Sequence, residues 1–112
     1  MSKQILKVSI PFVESAGSKP RPVLQLTNPS DEHGNFQVAY ITSQKPNKNY
    51  PTDILIEESH NNFELTGLVS DSYIRCSKIF TIDPSMVDLV IGDLPRDLEN
   101  QLNLILKKHF NI

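Results

Sequence analysis

Two arginines and a group of hydroxyl side chains stand where this sequence begins or ends its extended runs. Arg21 lies between Pro20 and Pro22, directly ahead of the apolar run Val23-Leu24-Gln25-Leu26. Proline biases the residue before it away from helix and is disfavoured inside central strands, so Arg21 is expected at the mouth of a strand, beside a loop. Thr42 and Ser43 close a second alternating run, Arg75 and Ser77 fall on one face of a third, and Glu14, Ser18 and Lys19 lie on the loop before Arg21. Such a set suits a phosphodiester. RNA carries its own nucleophile, the 2′-hydroxyl, so cutting it needs a proton acceptor, a proton donor and cations that stabilise a dianionic phosphorane. Arginine forks and hydroxyls can supply the last of these. Solvated strand ends and capped turns use the same residue types, which leaves a purely structural role open at this point.

Other chemistries find less support. His33, His60, His109 and Cys76 are the obvious metal ligands, yet no two of them stand at ligand spacing, so neither a metal nor another cofactor is expected. There is no G-x-S-x-G elbow, and Cys76 falls on an apolar strand face, where a thiol is inert. Gly17 has no companion glycines to form a phosphate loop.

The elements that must position these residues are mostly strands. Leu6, Val8, Ile10 and Phe12 alternate with polar or small residues from Ile5 to Phe12, the period of a half-buried strand. After a loop from Val13 to Pro20, a second strand is expected over Arg21 to Thr27. The turn residues Asn28 to Asn35 then lead to a third over Phe36 to Ser43, with Phe36, Val38, Tyr40 and Thr42 on one face. Gln44 to Asp53 is a polar loop with Pro46, Pro51, two lysines and two asparagines, a length at which loops in small domains are often functional. A short strand follows over Asp53 to Glu57, and Gly67 permits a sharp turn or close backbone approach. The longest strand is expected over Tyr73 to Ile82, with Ile74, Cys76, Lys78, Phe80 and Ile82 on one face. A short strand over Leu89 to Ile91 ends at Gly92. A helix starts at Pro95 and buries Leu98, Leu102, Ile105 and Leu106. Five to seven strands and one terminal helix predict a mainly β protein, a small curved barrel with a C-terminal α-helix.

The 112 residues suffice for one domain, expected to span 1–112 without linker or repeat. No apolar run approaches the roughly 20 residues of a membrane span, and no signal-peptide h-region follows Met1, so a cytoplasmic location without membrane contact is expected. The net charge of −2 argues against a strong non-specific grip on nucleic acid. The charge is uneven, however. Lys3, Lys7, Lys19, Arg21, Lys45 and Lys48 outnumber four carboxylates in residues 1–56, whereas residues 57–112 hold five cations against nine carboxylates. A polyanion site should therefore draw on the first half.

At these same residues the chain resembles the MazF/PemK family of toxins from type II toxin-antitoxin systems. Pro11 to Leu24 is similar to the family segment P-F-x-(D/E)-x-x-G-S-K-x-R-P-(A/V)-L, and Ile41-Thr42-Ser43-Gln44 to its I-T-S-Q strand end. Gly67-Leu68 with Asp71-Ser72-Tyr73-Ile74-Arg75 resembles G-L…D-S-x-(V/I)-R. Thr81-Ile82-Asp83 and Ile91-Gly92-Asp93-Leu94 resemble T-I-D…I-G-x-L. The ordered set covers most of the chain.

The resemblance implies an SH3-like barrel, a homodimer, and a metal-independent, sequence-specific endoribonuclease that cuts single-stranded mRNA to leave a 2′,3′-cyclic phosphate. It also implies a cognate antitoxin protein that occupies the RNA groove. By position, Arg21 matches the family's catalytic arginine, Thr42 its catalytic threonine, and Arg75 an arginine that one branch uses as proton donor. That branch has Val-Arg-Cys-Asp where this chain has Ile74-Arg75-Cys76-Ser77, so the acidic base is missing at Ser77 and Glu14 becomes the candidate. Arginine stays protonated at neutral pH, which favours phosphorane stabilisation for both arginines. Ser18, Lys19, Ser43, Gln44 and Ser77 are the expected substrate contacts. The alternative is a non-catalytic barrel of the same kind that binds RNA or a protein target.

Overall fold

A computed structural model describes residues 3–9, 19–29 and 34–112. Six antiparallel strands form one sheet: β1 (Gln4–Val8), β2 (Arg21–Gln25), β3 (Phe36–Thr42), β4 (Asp53–Ile56), β5 (Ser72–Ile82) and β6 (Val87–Asp93), in the spatial order β4-β5-β3-β2-β1-β6. Short 3-10 turns at Phe63–Thr66 and Pro84–Met86 separate the later strands, and helix α1 (Arg96–Phe110) closes the chain. The mainly β class with a C-terminal helix is as expected, but the sheet does not close into a barrel: β4 and β6 are its edges. The turn at Phe63–Thr66 and the residue after it lie against β6. A Cβ at Gly67 would collide with the Ile91 carbonyl, and one at Gly92 with the Leu65 and Thr66 backbone. Glycine is what permits that approach, and Gly67 also takes a left-handed φ of 72°.

The sheet is apolar on both faces because its core strands alternate between two clusters. Ile5, Leu24, Ala39, Ile41, Ile54, Ile56, Ile74 and Cys76 pack with Leu94, Leu98 and Leu102 on the helix side. Leu6, Val8, Val23, Phe36, Val38 and Ile82 form the second cluster on the other face. Strand β3 follows its predicted phase, with Phe36 and Val38 in the second cluster and Ala39 and Ile41 in the first. The helix also follows its pattern: Leu98 and Leu102 are buried, and Ile105 and Leu106 pack against the first cluster. Asp97 and Glu99 lie in its first turn and Lys107, Lys108 and His109 in its last, matching the helix dipole.

Strand β5 departs from expectation. Its register on β3 runs from Tyr40↔Arg75 directly to Ala39↔Ile79, so Cys76, Ser77 and Lys78 bulge out against a single step of the partner. The bulge exchanges the faces. Ile74 and Cys76 belong to the first cluster, while Ile82 belongs to the second with Phe80 packed against it. Strand β6 runs past the expected Leu89 to Ile91, through Gly92 to Asp93, because it is paired along its length with β1. Strand β1 ends at Val8, and Ser9 instead donates its N–H to the Met86 carbonyl at 3.0 Å. The expected strand end at Ile10 to Phe12, the loop from Val13 to Ser18 and the turn from Ser30 to His33 lie outside the described residues. Pro22 does sit in a central strand. It is tolerated at the strand's beginning, where β2 pairs with β1 and the ladder to β3 starts only at Val23.

Candidate active site at the ends of β2 and β3

Arg21 is the first residue of β2, opposite Val8 of β1, and Thr42 is the last residue of β3, opposite Tyr73 of β5. The β2–β3 ladder ends at Val23 facing Tyr40, and Arg21 and Thr42 each lie two residues beyond that last pair, on the same face as it. A guanidinium and a hydroxyl thus border the same cavity. Both residues are half-buried and lie on the sheet face that carries the second apolar cluster. The Gln44 N–H donates to Thr42 Oγ1 at 3.1 Å, which fixes the hydroxyl oxygen and leaves its proton free to be given outward.

A cavity of about 330 Å³ opens at this end of the sheet, lined by Lys7, Lys19, Arg21, Thr42, Ser43 and Gln44 together with the segment from Gly67 to Ser70. Three of its lining residues are cations and, among the described residues, none is a carboxylate. The cavity is therefore a positive site on a chain of net charge −2, built largely from the first half of the sequence. Lys19, Ser43 and Gln44 join Arg21 and Thr42 here; Lys7 and the Gly67–Ser70 wall were not anticipated. Lys7 reads only as the solvated face of strand one, and its place emerges from the β1–β2 register. Glu14 and Ser18 lie outside the described residues.

Arg75 and Ser77 are not part of this cavity. Ser77 is exposed in the β5 bulge. Arg75 stands opposite Tyr40, on the same face as Thr42 but two pairs further along and one strand further from Arg21. Strand geometry separates the two arginines' Cα atoms by roughly 12 Å. Arg75 Nε donates to Asp53 Oδ1 at 2.8 Å, and Asp53 belongs to β4, so this contact draws the guanidinium away from Thr42. The Asp53 side chain is only 7% exposed, which makes the contact a shielded, charge-assisted one. Cys76, next to Arg75, has its thiol pushed up to about 11, chiefly by burial and secondarily by the Asp53 charge. It is a core residue, as its strand face predicted.

A larger depression of about 840 Å³ lies at the start of α1, beside His60 and Asp97. His60 Nε2 contacts Asp97 Oδ2 at 2.9 Å while Nδ1 accepts the Asn62 N–H at 3.0 Å, so both ring nitrogens are engaged in holding the helix start. Its lining mixes Glu57 and Asp97 with Arg96, without the single sign of charge that marks the strand-end cavity. Among the described residues no three His, Cys, Asp or Glu side chains are grouped to hold a metal ion, and no helix is long and apolar enough to cross a membrane.

A mainly β chain with a cationic cavity at two strand ends and a terminal helix has solved counterparts. The fold is similar to that of the Mycobacterium tuberculosis toxin MazF-mt6, with a TM-score of 0.72 and 23% identity over 97% of each chain. It is also similar to an endoribonuclease in complex with its cognate antitoxin from a mycobacterial species, with a TM-score of 0.71 and 15% identity over 100% of this chain and 95% of that one. A third, a Mtb toxin, has a TM-score of 0.63 and 24% identity over 91% of this chain and 97% of that one. A search of curated proteins finds no match. The model of the PemK-like, MazF-like toxins of type II toxin-antitoxin systems matches residues 3–110, and the chain belongs to that family.

Proposed function

We propose that this toxin is a metal-independent, sequence-specific endoribonuclease that cuts single-stranded mRNA at the Arg21–Thr42 site. The observation that carries this reading is that Arg21 and Thr42 line one cavity together with other cations and with no described carboxylate. The substrate's 2′-oxygen attacks the adjacent phosphorus as its proton passes to a base, for which Glu14 is the candidate. The bond to the 5′-oxygen then breaks, that oxygen takes up a proton, and a 2′,3′-cyclic phosphate remains on the upstream fragment. Between these steps the phosphorane carries two negative charges on its non-bridging oxygens. The Arg21 fork and the Thr42 hydroxyl are directed at those oxygens, while Lys7 and Lys19 raise the local potential for the incoming strand.

One structural neighbour is an endoribonuclease bound to its cognate antitoxin. The corresponding partner here is a cognate antitoxin that covers the cationic cavity and so competes with RNA. A homodimer acting in the cytoplasm belongs to the same reading, and the half-exposed Leu89 and Val90 on the edge strand β6 offer apolar surface for assembly.

Purified protein incubated with single-stranded RNA in EDTA tests the reading. The expected products carry 2′,3′-cyclic phosphate and 5′-hydroxyl ends and are absent with Arg21→Ala. RNA that is bound but left intact would point instead to a non-catalytic RNA-binding barrel, and RNA neither bound nor cut would point to a protein target.

A further inference from the structure

All three tyrosines of the chain lie on or beside the strands that carry Thr42 and Arg75, and two of them form an alternating strip with cations. Lys48 Nζ lies 5.5 Å from the Tyr50 ring centre, and Arg75 Cζ lies 5.2 Å from the same ring. Across β3, Arg75 faces Tyr40 in register, and Lys78 Nζ lies 4.9 Å from the Tyr40 ring. The order across the surface is therefore Lys48, Tyr50, Arg75, Tyr40, Lys78. Tyr40 precedes Thr42 by two residues on the same strand and face and itself lines the cavity that holds Arg21, so the strip begins at that cavity.

The members of the strip differ in freedom. Arg75 is tethered through Nε to the nearly buried Asp53 carboxylate, which leaves its two terminal amino groups as donors in a fixed orientation. Lys48 and Lys78 are exposed, and each covers a tyrosine ring with a flexible stem. Tyr40 can exchange the Lys78 ammonium for a flat partner, and Tyr50, which keeps its contact with the tethered Arg75, can exchange that of Lys48, while each lysine moves to a nearby negative charge. Aromatic rings alternating with cations match the alternation of base and phosphate along an unpaired nucleic acid strand. The Asp53 carboxylate does not oppose this, since it is shielded and committed to Arg75.

We infer that Tyr50 and Tyr40 are stacking positions for unpaired bases flanking the cleaved bond, with Arg75, positioned by Asp53, holding the phosphate between them. This rests on the ribonuclease reading and assigns Arg75 to substrate positioning rather than to proton donation.

The chain has no tryptophan, so Tyr50→Trp introduces a single indole reporter at the exposed position. Titrated with a mixed-sequence 2′-fluoro RNA, which lacks the attacking hydroxyl, this variant is expected to lose indole fluorescence in step with binding measured by anisotropy of a labelled strand. Tyr50→Ala is expected to weaken that binding by about 5- to 150-fold, the effect of one stacked base, with an unchanged salt slope. Tyr50→Phe restores the affinity, because the ring and not the hydroxyl is used. Lys48→Ala lowers the slope of log K against log salt by about 0.7, one phosphate contact on a single strand. Unquenched indole in an RNA-bound complex, or wild-type affinity in Tyr50→Ala, would overturn the strip even where Arg21-dependent cleavage stands. Failure of the wild-type protein both to bind and to cut RNA would overturn the strip together with the ribonuclease reading.

Discussion

Arg21 and Thr42, 21 positions apart in sequence, line one cavity where β2 begins and β3 ends, each two residues beyond the last ladder pair, Val23 with Tyr40. Each residue is fixed from its own side. Arg21 is paired back to Val8 of β1, and the Thr42 hydroxyl oxygen accepts the Gln44 N–H. A planar donor fork and a hydroxyl donor thus border one cationic cavity without rearrangement of the sheet.

Because the proposed role of Arg21 depends on its fork, Arg21→Lys keeps the charge but loses the two parallel donors. Single-turnover cleavage is expected to fall by about a hundredfold or more, the cost of a lost transition-state donor, while RNA affinity changes little. Near-normal cleavage by Arg21→Lys would show that only the charge matters.

Burial and the Asp53 charge hold the Cys76 thiol at about 11, above its ordinary 9.0. The unfolded thiol therefore ionises first as pH rises. The stability this contributes is fully present below pH 9.0 and is lost on the way up to about 11. At pH 8 a thiol reagent should label Cys76 only at the rate of unfolding, and rapid labelling of the native protein would refute its burial.

Asp97 at the start of α1 has its carboxyl pKa held below the ordinary 3.8, first by the hydrogen bond from His60 and further by the charge of that ring. Its stabilising contribution is present above pH 3.8 and is lost as pH falls through the lowered value. In His60→Ala the Asp97 titration, followed by carboxyl carbon NMR, should move up toward 3.8. An unmoved titration would remove His60 as the cause.

Gly67 and Gly34 both have left-handed φ angles, of 72° and 74°, but their surroundings differ. A Cβ at Gly34 would lie 3.7 Å from Pro84, an ordinary contact, whereas one at Gly67 would meet the Ile91 backbone. Alanine at Gly34 should cost only the backbone term, about 1–2 kcal/mol. Alanine at Gly67 should cost more in a urea titration, since the Phe63–Thr66 turn must leave β6. Equal losses would show that this seam does not matter to the fold.

The parts of the molecule governed by local periodicity were legible in the sequence. Leu98, Leu102, Ile105 and Leu106 mark one helix face, and the alternation from Phe36 to Thr42 assigns each residue of β3 to its side. Strand β5 was not legible beyond Arg75, because the three bulged residues Cys76 to Lys78 upset a count of two and exchange the faces. The same slip explains why Arg75 and Ser77, neighbours by simple alternation, are not neighbours in the sheet. Asp53 and Tyr50 escaped notice as partners of Arg75, since only the β4–β5 register and the course of the polar loop bring them together. The places of Arg21, Thr42, Lys19, Ser43 and Gln44 around one cavity were legible because proline and strand-end patterns mark them, whereas that of Lys7 depends on pairing that a single strand does not reveal.

In the proposed ribonuclease, Arg21 and Thr42 act together on one phosphate. Single-turnover RNA cleavage by Arg21→Ala, Thr42→Val and the double variant measures this directly. Groups that stabilise one transition state as a unit are non-additive, so the double variant is expected to be about as slow as the slower single variant. Losses that multiply, or cleavage that survives in both single variants, would contradict a shared site at the ends of β2 and β3.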